Sequence, residues 1–124
     1  MLWSDAKLCI LLGRLDLFGR KKDMLAKYEE YRDTLDRNNI QVKDVILRKM
    51  KGHPIAWMKN EFPYDVENTT HYLIWSTHGP LADDKIQEIA TRHSHDREFL
   101  YFVNPEHLKS VKDLWHAHVF MKNL

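Results

Sequence analysis

The hydrophobic pattern of this 124-residue chain changes once, at residue 52, and that change limits the fold more than any single motif. Before it, apolar residues recur at helical spacing. In "KDMLAKYEEYRDTLDRN", Met24, Leu25, Tyr28, Tyr31 and Leu35 share one helix face and charges cover the other. The opening "LWSDAKLCILLG" predicts a short apolar helix, with Ser4 as N-cap, Trp3 and Leu8 at staple positions, and Gly13 to end it. Asn38-Asn39 punctuates the second helix, and Val42, Val45, Ile46 and Met50 mark a third that stops near Gly52.

Beyond residue 52 strands predominate, with one helix among them. "GHPIAWMKNEFPYDVENTT" is too rich in turn formers for a helix and predicts a structured loop, or a loop with short strands. "HYLIWS" has the β-branched and aromatic character of a strand, residues 82–93 read as a helix with Asp83 and Asp84 in its first turn, and "EFLYFVN" and "LWHAHVFM" are two further strands. The expectation is an α+β fold: N-terminal helices packed on a small, mainly antiparallel sheet with strand-helix-strand-strand order. Residues 1–124 form a single domain, helical over 1–51 and loop plus β-α-β-β over 52–124.

Composition then excludes several function classes. Lys and Arg number 19 against 18 Asp and Glu, a formal charge of +1, so the chain is no general nucleic-acid coat and any anion must be held by a local patch. The longest apolar run, "LCILLG", is too short to span a bilayer and lacks the flanks of a signal peptide, which predicts no membrane association. The single cysteine, Cys9, allows no internal disulfide and fits a cytoplasmic or nuclear protein. No cofactor motif is present.

The chemistry-bearing residues gather toward the end. Strand alternation in "WHAHVFM" sets Trp115, Ala117, Val119 and Met121 on one face and His116, His118, Phe120 and Lys122 on the other, so two imidazoles point the same way. His71, Leu73 and Trp75 likewise share a face of their strand. Such a pair can be buried packing, a ligand clamp, a nucleophile with its neighbour, or part of a three-histidine zinc site completed by His71 or His107. Trp57, Phe62, Tyr64 and Trp75 are aromatic surfaces able to stack a base, worth roughly 1–3 kcal/mol each. Asn60, Asn104, Lys109, Ser110 and Lys122 are the candidate anion-binding groups, with Arg14 or Arg20 reaching over from the first loop.

Three clusters, "RLDLFGRKKDMLAKYEEY", "NEFPYDV…HYLIWS" and "FVNPEHLKSVKDLWHAHVF", resemble an uncharacterised family of fungi and large DNA viruses whose fungal members include the proteins called N-acetylglucosamine-induced. The chain looks like a compact, virus-type member. A more distant similarity runs to the histidine-triad superfamily, whose C-terminal strand carries alternating histidines after an asparagine and a Ser-Val pair; Asn104, Ser110, Val111, His116 and His118 occur in that order, while Phe120 stands in the third histidine's place. That similarity implies His118 as nucleophile and His116 as its flanking partner. The combined expectation is an intracellular domain that binds a nucleotide or a cap-like RNA end between the "FPY" loop and the His116/His118 strand. The alternatives are a histidine-dependent phosphoesterase or nucleotidyl transferase, and a protein-interaction module without catalysis.

Overall fold

The computed structural model describes residues 1–124. Four α-helices, α1 (Trp3–Leu11), α2 (Lys22–Arg37), α3 (Val42–Met50) and α4 (Asp83–Ser94), accompany four strands, β1 (Ile55–Lys59), β2 (Thr69–Ser76), β3 (Phe99–Phe102) and β4 (Trp115–Lys122). The sheet is antiparallel throughout, in the order β1-β2-β4-β3. This is the expected α+β class. The loop read after residue 52 contributes the extra edge strand β1, because Ile55 to Met58 pair with Leu73 to Ser76.

The C-terminal ends of the helices follow local chemistry, whereas no α-helix has a side-chain N-cap. Gly13 at φ 71° and Lys51-Gly52, both left-handed, terminate α1 and α3, while Asn39 at φ 56° separates α2 from α3. Ser4, expected as the N-cap of α1, lies inside its first turn; Leu2 holds the cap position and no side chain caps the helix. Trp3 instead uses its indole N–H to donate to Glu98 at 3.0 Å, which ties the helix start to the sheet.

The alternation along β4 separates two cores. Ala117, Val119 and Met121 face α4 and pack with Ile74, Ile86, Ile89 and Ala90. The opposite face is covered by the N-terminal helices in two patches: Phe120 and Phe102 lie with Ala6 of α1, and Trp75 lies with Met50 of α3, Val111 and Leu114. Phe120 is fully enclosed and packs edge-on against Phe18 and Phe102. A ring so buried contributes about 1.5–3 kcal/mol. Helix α2 has no buried residue of its own and spans the gap between the two patches. Under it lie the histidines.

Candidate functional site

Register brings His71 and His118 together. They stand two residues out of step across β2 and β4, His71 opposite Phe120 and Leu73 opposite His118, so both rings project from the same face. His71 Nε2 and His118 Nδ1 are 2.8 Å apart. The backbone N–H of Tyr64 donates to His71 Nδ1 at 3.1 Å, and Asn60 Nδ2 lies 3.4 Å from the same atom. Asn60 cannot turn over, because its Oδ1 accepts the Phe62 N–H at 2.9 Å. The loop from Asn60 to Tyr64 is thus fastened around one imidazole nitrogen.

These contacts determine the tautomers. A nitrogen facing a backbone N–H must accept, so the His71 proton is on Nε2 and is donated to His118 Nδ1. His118 then carries its proton on Nε2, which faces the Asn104 amide at 3.3 Å. With Nδ2 toward the ring, two donors would meet and Oδ1 would be buried without a partner. Turned about, Oδ1 accepts from His118 Nε2 and from Tyr64 Oη, 3.4 Å away, and Nδ2 becomes the unpartnered atom. Burial pushes His71 down to about 3 and holds His118 well below the ordinary imidazole value, with nearby positive charge adding to both. Both rings are neutral.

His118, the nucleophile that the histidine-triad similarity implies, has no free nitrogen in this arrangement. Both of its nitrogens are occupied, and its ring packs nearly parallel to those of Phe102 at 4.8 Å and Tyr64 at 5.4 Å. His116 is the available imidazole. Its Nδ1–H donates to the Leu114 carbonyl at 3.1 Å, which leaves Nε2 as a lone pair with no protein partner. Desolvation lowers its pKa and keeps that lone pair free at neutral pH. Trp75 lies against it at 4.4 Å between ring centroids, and the buried indole N–H of Trp75 has no acceptor.

His116, His118 and Trp75 form the floor of a cleft whose walls are α2, α3, β1 and the "NEF" segment, about 700 Å³ including space open to solvent. Tyr28, Tyr31 and Phe62 make an aromatic side, with Phe62 5.3 Å and 5.1 Å from the two tyrosine rings. The cleft is cationic: Arg20, Arg32, Lys49 and Lys59 line it against the single carboxylate of Glu61, which is paired with Lys49 at 3.3 Å. Arg20 is held by its Nε–H, donated to the Phe62 carbonyl at 2.7 Å, and by the faces of Tyr28 and Tyr64. Arg32 Nη1 donates to Tyr28 Oη and to the Ser110 carbonyl. Neither guanidinium meets a carboxylate.

Of the residues singled out from sequence, Arg20, Asn60, Phe62, Trp75, Ser110, His116 and His118 line this cleft. His71, Tyr64 and Asn104 stand behind it as the network that braces His118. Trp57 does not belong: it projects to the other face of the sheet and stacks on Tyr72 and His93. Lys122 reaches toward Glu98 and Trp3 near α1, and Lys109 pairs with Glu106 beside the cleft. Arg14 pairs with Asp16 at the surface. No three His, Cys, Asp or Glu side chains converge as metal ligands, so the three-histidine zinc site is not formed; His71 and His118 spend their facing nitrogens on each other.

Tyr28, Tyr31, Arg32, Lys49 and Lys59 were not legible as site residues. The signal for α2 was present: its inward stripe carries two tyrosines where a core helix would carry leucines, and Arg32 follows Tyr28 by one turn.

No helix is long and apolar enough to cross a membrane. No curated protein matches the sequence significantly. A solved structure, "Crystal Structure of HTC1", is similar over 99% of this chain and 85% of that one, with a TM-score of 0.74 and 22% identity, a likeness that shows the fold alone. The family model described as "Protein of unknown function (DUF3605)" matches residues 2–122, and the chain belongs to that family.

Proposed function

We propose that this domain binds a nucleotide, free or as a cap-like RNA end, in the cleft under α2. The observation that carries the reading is the pair Arg20 and Arg32: two guanidinium groups without carboxylate partners beside the aromatic wall of Tyr28, Tyr31 and Phe62. A nearly neutral chain that concentrates unpaired cations in one partly enclosed, ring-lined cleft suits a ligand with a planar group and a phosphate. The ring would stack on the aromatic side, and Arg20 and Arg32 would hold the phosphate. Isothermal titration against nucleoside phosphates and a cap analogue tests this. Saturable binding that is lost in Arg20→Gln is expected, and no heat at millimolar ligand would sink the idea.

A second reading, histidine-dependent phosphoester hydrolysis or nucleotidyl transfer, is favoured by the free Nε2 of His116. Its Nδ1–H is already held by a carbonyl, which is what a nucleophilic imidazole needs. Nε2 would form the N–P bond while the bond from phosphorus to the leaving group breaks, P–O in a polyphosphate or P–N in a phosphoramidate, with its electron pair on the departing oxygen or nitrogen. Water would then displace the imidazole. The similarity of "NPEHLKSVKDLWHAH" to the histidine-triad pattern supports this reading, although the reacting position moves from His118 to His116. Products formed from dinucleoside polyphosphates or nucleoside phosphoramidates must vanish in His116→Ala; turnover that persists in that variant excludes this nucleophile.

A further inference from the structure

The floor of the cleft carries two polar atoms that the protein leaves without partners. The indole N–H of Trp75 meets no acceptor, and Nε2 of His116 meets no donor, since that ring is held through Nδ1–H by the Leu114 carbonyl. Both residues line the cleft and are nearly enclosed, at 3% and 4% exposure. They stand directly opposite each other in β2 and β4, with ring centroids 4.4 Å apart and planes 35° from parallel. The side chains packed around Trp75, among them Val42, Ile46, Leu73 and Val111, are hydrocarbon and satisfy neither atom. A buried donor or acceptor left unpaired costs about 1–3 kcal/mol, so one group that meets both atoms removes two such penalties.

The two atoms define that group. Indole N–H only donates, and the Nε2 of a neutral imidazole only accepts, so the partner must accept and donate at once. An ionised phosphate has no proton to give and does not qualify. A hydroxyl does, through a single oxygen set between the two rings. With the base stacked on Tyr28, Tyr31 and Phe62 and the phosphate held by Arg20 and Arg32, the sugar is the part of a nucleotide left to face the floor. Its hydroxyls are its only hydrogen-bond donors.

We propose that Trp75 and His116 form a subsite for a ribose hydroxyl, which accepts from the indole N–H and donates to Nε2; this rests on the nucleotide reading of the cleft and gives Nε2 to the sugar instead of to phosphorus. Calorimetric titration of the full chain with the common ribonucleoside 5′-diphosphates and with their 2′-deoxy and 3′-deoxy counterparts tests it. Loss of the hydroxyl should weaken binding about tenfold in one of the deoxy series, because both buried atoms then stay unpaired in the complex. In Trp75→Phe that ratio should fall toward one. The Trp75 indole N–H resonance of the unaltered protein should move downfield with ribonucleotides and much less with the weakened series. Comparison among ligands uses the unaltered protein, so a poorly folding Trp75→Phe does not disable it. Equal affinity across the three series, as a water resident between the rings would give, overturns the subsite and leaves the nucleotide reading in place. So does a discrimination that persists in Trp75→Phe. No heat from any series removes the nucleotide reading and the subsite together.

Discussion

His71 and His118 meet nitrogen to nitrogen at 2.8 Å, and the backbone N–H of Tyr64 decides which of them gives the proton. Both are Nε2–H tautomers, whereas His116, whose Nδ1–H is bound to Leu114, is the opposite one. Long-range ¹H–¹⁵N correlation of the imidazoles at neutral pH should show two Nε2–H patterns and one Nδ1–H pattern in the buried set. A His118 proton on Nδ1 contradicts the network.

The same burial makes the fold sensitive to acid. Folded-state values of His71, His116 and His118 lie below the ordinary 6.5, with His71 at about 3. Above that ordinary value these rings are neutral in folded and unfolded chains alike, so they add no pH dependence. Below it the unfolded chain takes up protons that the folded chain refuses, and each histidine withdraws up to about 1.4 kcal/mol per pH unit until its own folded value is reached. Urea unfolding should give a flat stability above neutrality and a steady loss from pH 6 downward. A stability that rises on acidification over that range refutes the assignment.

Asn104 is the terminal acceptor of the chain from Tyr64 through His71 and His118. Asn104→Ala leaves the His118 Nε2–H buried and unpaired, a cost of about 1–3 kcal/mol. Thermal melting should register it, while nucleotide affinity per folded molecule changes little because Asn104 stands behind the cleft rather than in it.

Arg20→Gln and Arg32→Gln should each weaken binding of a phosphate-bearing ligand about 10–100-fold, the worth of a charge-assisted hydrogen bond. Trp57→Phe is the control, since Trp57 packs on the α4 face. Titration of the three variants separates the cleft from the aromatic surface across the sheet; equal losses in all three would refute the placement.

Phe120→His completes the alternating histidine pattern in sequence but not in chemistry. The Phe120 side chain is fully buried among Phe18, Phe102, Tyr64 and His71, and both His71 nitrogens are already engaged by Tyr64 and His118. The substitution should cost about 2–4 kcal/mol in denaturant unfolding and create no phosphoesterase activity.

Several of these relationships follow from the sequence with little help. The 3.6-residue period ends at Lys51, and the period-2 alternation in β4 sets His116 and His118 on one face; that His71 of β2 joins them is decided by the register of the two strands. Such periodicities are local, set by backbone geometry, and survive without knowledge of neighbours. The NEFPY loop was legible as a pocket element for the same reason. Its proline and aromatics suit neither a helix nor a central strand, so they pack beside one.

What tertiary structure alone decided is which imidazole nitrogen is free. In sequence His116 and His118 are equivalent, two residues apart on one strand face. Their difference arises from a Tyr64 N–H that arrives through His71 from the adjacent strand, an amide from Asn104, and a carbonyl two residues before His116. It was likewise only packing that turned the inward stripe of α2 from core into cleft wall, because the helix rides over a gap between two hydrophobic patches instead of on one. Local pattern specifies the direction of a side chain; the proton it carries and the space before it depend on groups distant in the chain, brought within 3 Å by the fold.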